Sequence, residues 1–117
     1  MRRTILVCGS REWRDRDAVH LVLMCEPHRR GWGQDELRII HGACRGADTF
    51  AAESAKDLGY EVQPFPADWS RGKRAGPERN LRMLDECPDL VIAFGRGKGT
   101  DGTVQAAETR GIRVMRV

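Results

Sequence analysis

Short apolar runs of strand length alternate with segments of helical spacing along the chain, and this change of period constrains the fold more than any other feature. Residues 4–8 (TILVC) form a β-branched run that stops at a glycine, which predicts a buried strand. Residues 15–25 carry helical spacing through Ala18, Val19, Val22 and Leu23, and Pro27 is the expected stop. A loop over residues 28–34 (HRRGWGQ) leads to a second strand, Leu37–His41. The Ala-rich residues 47–58 place Phe50, Ala51, Ala55 and Leu58 on one helical face, and Gly59 ends that helix. Residues 61–65 (EVQPF) alternate apolar and polar, and Pro64 assigns this third strand to an edge. Residues 66–77 read as loop, and residues 78–87 as a helix with Leu81 and Leu84 facing the core. Leu90–Phe94 is the most apolar strand and is expected to be central. A helix over residues 100–110, closed by Gly111, precedes a last strand over residues 112–117. The pattern βαβαβαβαβ implies parallel strands joined by right-handed crossovers. The expected architecture is a single Rossmann-like α/β domain over residues 1–117. Its doubly wound, five-stranded parallel sheet has the order 3-2-1-4-5 and carries helices on both faces.

A chain of 117 residues can bury one core without disulfide or metal staples. Its 40% hydrophobic and 32% charged content describe a soluble globular chain rather than a disordered one. The net charge of +3 is too small to argue for nucleic acid by bulk field alone. The basic-then-apolar start is cut short at Gly9-Ser10-Arg11-Glu12, well before a signal sequence could form, and no apolar run reaches membrane-spanning length. Cys8, Cys25, Cys44 and Cys87 are scattered, with no CxxC pair and no paired histidines nearby. No metal site is expected, and free thiols in a reducing cytoplasm are the natural reading.

In such a sheet, ligands bind outside the carboxyl ends of the strands, where the strand order reverses. The chemically unusual residues all follow strands. Gly9-Ser10-Arg11-Glu12-Trp13 follows the first, and Gly42-Ala43-Cys44-Arg45-Gly46-Ala47-Asp48 the second. Ala67-Asp68-Trp69, with Arg71, Lys73 and Arg74, follows the third, and Gly95-Arg96-Gly97-Lys98-Gly99-Thr100 the fourth. The loops at the opposite edge hold only turn residues. Glycines let backbone N–H groups approach a phosphate closely, and the start of the following helix adds partial positive charge, so residues 95–100 have the physics of an anion cradle. Thr100 or Asp101 is the expected cap of that helix. Although residues 97–102 fit GxGxxG, they follow the wrong strand for a dinucleotide fingerprint, and no P-loop pattern occurs.

Arg45 and Arg79 are candidate phosphate clamps, or else solvated charges. Trp13 and Trp69 either stack on a base or pack over loops. Asp48 and Asp68 are candidates for ribose hydroxyls, with Asp48 alternatively charging the start of its own helix. His41 is expected to be structural. Cys44 lies before a helix N-terminus, but no partner base for a nucleophile is identifiable.

Four segments, CGSREW, HGACRGADTFAAESA, FPADWSRGKRAGPERNLRML and DLVIAFGRGKGTDGTVQAAETRGIRV, together resemble the YspA-like branch of the SLOG superfamily over nearly the whole chain. That superfamily of Rossmann-like proteins includes the Smf/DprA proteins and the lonely-guy phosphoribohydrolases, and this branch is a domain family of unknown function in bacteria and their phages. The resemblance implies binding of nucleotides or nucleotide-derived signals on glycine-rich loops. Lonely-guy enzymes cleave the N-glycosidic bond of nucleoside 5′-monophosphates and carry PGGxGTxxE with an upstream arginine on a helix. Here Gly97-Lys98-Gly99-Thr100 matches GxGT, and Arg79 falls near the arginine position. Gly95-Arg96 replaces the proline-glycine start, and Thr103 stands at the glutamate position. Thr cannot act as the carboxylate of a glycosidase, so the resemblance supports binding ahead of catalysis.

The expected function is therefore that of a nucleotide or nucleotide-derivative binding domain rather than an enzyme. Its expected site residues are Gly9, Ser10, Arg11, Gly42, Arg45, Gly46, Asp48, Asp68, Trp69, Arg79, Asn80, Gly95, Gly97, Lys98, Gly99 and Thr100. A nucleotide-processing hydrolase is the alternative, with Arg79, Asp48, Asp68 or Glu108 as candidate catalytic groups. Single-stranded DNA binding through Trp69 and the basic run Arg71-Gly72-Lys73-Arg74 is the second. Beyond a nucleotide-like small molecule no cofactor is assigned, no membrane partner is expected, and dimers common among the relatives leave a homodimer open.

Overall fold

The computed structural model describes residues 2–117. Five parallel strands, β1 (Arg3–Gly9), β2 (Leu37–His41), β3 (Glu61–Pro64), β4 (Leu90–Phe94) and β5 (Val114–Arg116), form one sheet in the order β3-β2-β1-β4-β5. The middle strand is β1, with β4 beside it, and both β2 and β4 are buried along their full length. Alternate residues of β1 feed two cores. Ile5 and Val7 join Ile39, Ile92 and Phe94 under α1 (Arg16–Arg29) and α2 (Ala47–Asp57). Leu6 and Cys8 join Ile40, Val91 and Ala93 under α3 (Ala75–Leu84) and α4 (Lys98–Thr109). Among the described residues, no helix is long and apolar enough to cross a membrane.

Three local expectations are corrected. Helix α1 does not stop at Pro27 but runs through it to Arg29. Proline removes the N–H that would bind the Leu23 carbonyl, and the Tyr60 hydroxyl donates to that carbonyl instead, at 2.9 Å. With the orphan acceptor satisfied, a proline in the last turn is tolerated. Leu81 faces solvent, 46% exposed, while Arg79 and Met83 are buried. Leu84 is buried as expected, but the rest of the buried stripe of α3 is Ala75, Gly76, Arg79 and Met83, so an arginine with partners of its own faces the core in place of Leu81. Helix α4 begins two residues earlier than the spacing predicts, at Lys98. No side chain caps it: Thr100 is buried, and Asp101 accepts from the Arg116 guanidinium at 2.9 Å.

Candidate functional site

The order β3-β2-β1-β4-β5 reverses direction between β1 and β4, and a cavity of about 320 Å³ opens there at the carboxyl edge of the sheet. Its rim begins at the end of β1. Gly9 packs so closely that a Cβ there would lie 2.5 Å from the Phe94 carbonyl oxygen and 2.6 Å from the Ala47 methyl. Ser10 then donates its N–H to the Phe94 carbonyl at 2.8 Å, and its own carbonyl accepts from Trp13 and Ala47, both at 3.2 Å. The β1–α1 turn is thereby locked onto α2 and β4, leaving Ser10 and Arg11 facing the cavity.

The loop after β2 is organised inward. Oδ2 of Asp48 accepts the N–H groups of Gly42 at 3.0 Å and Cys44 at 3.3 Å. Nδ1 of His41 accepts the N–H of Ala43 at 3.0 Å, with Ala43 in the left-handed region at φ 58°. From the other side Arg79 donates to the Gly42 carbonyl, to the Phe65 carbonyl at 3.4 Å and to the Cys44 sulfur at 3.8 Å, while its Nε donates to Asn80 Oδ1 at 2.8 Å. These contacts occupy all three amides from Gly42 to Cys44, so this glycine loop forms a rigid wall of the cavity rather than an amide cradle. Burial pushes the Asp48 carboxyl up to about 6, even though two amides, Arg79 and Arg11 favour its charge. Burial, then Arg79 and Lys56, lowers the pKa of His41, in keeping with a neutral ring whose Nδ1 accepts.

The opposite wall is the start of α4. Its first intrahelical bond runs from the Asp101 N–H to the Gly97 carbonyl at 2.8 Å. The N–H groups of Lys98, Gly99 and Thr100 therefore have no helical acceptor, and they carry the positive end of the helix dipole. A Cβ on Gly97 or Gly99 would meet nothing within 4 Å, so the approach to these amides is open. Arg96 and Lys98 are exposed beside them, and Arg96 is held only loosely to Asp101 at 3.9 Å. The loop is tethered from β5: Gly95 donates its N–H to the Val117 carbonyl at 3.2 Å, and Arg116 donates to the Gly95 carbonyl at 3.4 Å.

Of the expected residues, Gly9, Ser10, Arg11, Gly42, Asp48, Arg79, Asn80, Gly97, Lys98, Gly99 and Thr100 border this cavity. Gly46 and Gly95 stand behind it. A Cβ on Gly46 would lie 2.5 Å from the Ser10 carbonyl, and one on Gly95 3.1 Å from the Trp13 ring. Asp68 caps a 3-10 turn over Trp69–Arg74 by accepting from the Ser70 N–H at 3.2 Å, and bonding to Ser70 lowers its pKa. Arg45 pairs with Glu12 at 2.7 Å in solvent, outside the cavity, and Glu108 is exposed in the last turn of α4, far from the rim. The two tryptophans differ. Trp13 packs on Phe94 with ring centroids 5.5 Å apart and donates its indole N–H to the Asp15 carbonyl, whereas Trp69 is 53% exposed.

Cys8, Met83 and Thr103 also line the cavity, and none was among the expected binding residues. Met83 and Thr103 each lie one helical turn from an expected residue (Arg79 and Thr100), so helical spacing would have found them. The alternation of a strand, by contrast, sends Cys8 and its neighbour Gly9 to opposite faces and left Cys8 without a signal. Burial, followed by the Asp48 charge, pushes the Cys8 thiol up to about 12, leaving it a neutral floor residue. Thr103 donates its hydroxyl to the Gly99 carbonyl at 3.0 Å. No cluster of three or more metal-ligating side chains occurs among the described residues.

The fold is shared with solved structures of low sequence identity. DprA, DNA processing protein A from Streptococcus pneumoniae, superposes with a TM-score of 0.78 at 19% identity, over 98% of this chain and 50% of its own. The Moco carrier protein from Chlamydomonas reinhardtii superposes with a TM-score of 0.68 at 17% identity, over 100% of this chain and 76% of its own. This chain thus spans only half the length of DprA. In sequence, the Gene 61 protein of Mycobacterium phage D29 is 39% identical over 121 residues, covering 97% of this chain and 94% of the phage protein. A family model described as "YspA, cpYpsA-related SLOG family" matches residues 3–72, which hold β1, the Asp48-bound loop and Trp69 itself. Matched by that model over more than half its length and by the phage protein over nearly all of it, the chain belongs to the YspA, cpYpsA-related SLOG family.

Proposed function

We propose that this chain binds a nucleotide or nucleotide derivative whose phosphate rests on the start of α4. The observation that carries this reading is the set of three unsatisfied amides, Lys98 to Thr100, opening into a cavity at the strand-order reversal with Arg11, Arg96 and Lys98 around it. The rest of the rim is pre-organised, so binding costs little ordering. Gly99→Ala tests the reading directly. The added methyl meets no protein atom and suits a helix, so the fold is retained or gains up to about 1 kcal/mol. The same methyl stands where a phosphate must approach. Calorimetric titration with AMP, NAD and ADP-ribose should find at least one ligand whose affinity falls tenfold or more in Gly99→Ala, whereas Gly102→Ala, which also meets nothing, leaves it unchanged. Equal affinity in both variants would remove the phosphate from α4.

A hydrolase reading has one observation in its favour: the Asp48 carboxyl borders the cavity and holds its proton up to about pH 6. Against it, Oδ2 of Asp48 is committed to two amides, and Thr103 supplies no carboxylate from α4. Release of base or ribose during the same incubations would reverse the order of the two readings. Binding of single-stranded DNA has less support, because Arg71 and Arg74 of the basic run both pair with Glu78.

A further inference from the structure

A second hollow, of about 230 Å³, lies against the first and shares Arg11 and Cys44 with it. Its remaining lining is Ala43, Arg45 and Trp69. Trp69 is 53% exposed, an unusual position for so large an apolar surface, yet the ring is held in place. Its six-membered edge lies against α3, where a Cβ on Gly76 would come within 3.3 Å of Cη2. The Arg11 guanidinium sits 5.6 Å from its ring centroid, and the backbone beneath it is a 3-10 turn capped by Asp68. A fixed, solvent-facing indole beside a cation is a stacking platform.

We infer that this hollow takes the base of the ligand whose phosphate rests on α4, with the base stacked on Trp69 and Arg11 lying between the two subsites. The inference rests on the phosphate reading above and adds to it the place of the base and the side chain that holds it. It also defines how the base is recognised. The amides of Gly42, Ala43 and Cys44 are already bound by Asp48 and His41, so this part of the loop offers no free N–H to a base edge. The platform reads a π-face, and every base has one. Adenine and guanine nucleotides should therefore bind within about threefold of each other, a gap well under the tenfold that 1.4 kcal/mol represents.

The test is calorimetry of AMP, GMP and ribose 5-phosphate on the parent, Trp69→Leu and Trp69→Phe. The parent should bind AMP more tightly than ribose 5-phosphate by about 5- to 150-fold, the range that stacking commands. Trp69→Leu should remove that advantage and leave ribose 5-phosphate unchanged, and Trp69→Phe should restore most of it. If AMP keeps its advantage in Trp69→Leu, or if ribose 5-phosphate weakens equally, the platform assignment is wrong. Equal binding of AMP and ribose 5-phosphate by the parent overturns the platform while leaving the phosphate reading intact. Failure of both to bind removes the phosphate reading, and the platform with it. A short single-stranded oligonucleotide that binds more tightly than AMP through Trp69, and weakens steeply with salt, would replace the single base with a strand as the occupant.

Discussion

Asp48 is a carboxylate held where ionisation is costly, and its consequence is a pH dependence of definite sign. Burial raises its pKa from 3.8 to about 6, so the folded chain holds this proton more firmly than the unfolded chain does. Its contribution to stability is greatest below about pH 4 and is lost as pH rises through about 6. Compared with Asp48→Asn, which does not titrate, the parent should lose relative stability by about 2 kcal/mol between pH 4 and pH 7, the part of a roughly two-unit shift that falls above the unfolded value. Denaturant midpoints of the two proteins across that range check this, and a constant difference would mean that Asp48 titrates in the fold as in a free chain. His41 acts in the opposite sense. Its lowered pKa makes its contribution present above 6.5 and lost as pH falls through the folded value, but it is common to both proteins and cancels. That Asp48 mattered was legible from its place after a strand, but its partners were not. A helix residue bonding backward to the loop before it needs the loop's turn at Ala43, and a left-handed alanine leaves no mark in composition or period.

At the scale of the elements, spacing located every strand and all four α-helices. It read residues 66–77 as loop, however, where the 3-10 turn Trp69–Arg74 and the start of α3 at Ala75 lie. It also misjudged an end where a tertiary contact overruled a local rule. Pro27 marks that end. The rule that proline ends a helix assumes that the carbonyl four residues back goes unsatisfied, and Tyr60, 37 residues further on, supplies the missing donor. Tyr60→Phe should therefore destabilise the chain by about 1–3 kcal/mol, the cost of an unsatisfied buried acceptor. In a Pro27→Ala background that loss should shrink, because the restored N–H can bind the Leu23 carbonyl. A double-mutant cycle by thermal or denaturant unfolding measures the coupling, and additive losses would show that the hydroxyl is not the proline's substitute. Arg79 teaches the same lesson from the core side. Apolar spacing selected Leu81, while the buried position belongs to a guanidinium whose donors meet two carbonyls, an amide oxygen and a sulfur.

Across the whole molecule, the sheet order and the edge carrying the unusual residues were readable in advance, since both follow from alternating period and parallel pairing. The division of labour among the loops along that edge was not. Two glycine-rich stretches with similar composition came out opposite in kind: the one after β2 binds its own amides from Gly42 to Cys44, and the one after β4 leaves three open. Glycine content reports that backbone can come close, without saying whether the partner is a neighbouring side chain or a visitor. The contrast has a consequence in the time domain. Amide protons from Gly42 to Cys44 should exchange slowly with deuterated solvent whether or not a ligand is present. Those of Lys98, Gly99 and Thr100 should exchange rapidly in the free protein and slow markedly when AMP saturates it. Slowing at both stretches alike would show that the wall after β2 rearranges to meet the ligand. Slowing at neither would leave the amides of α4 facing only water.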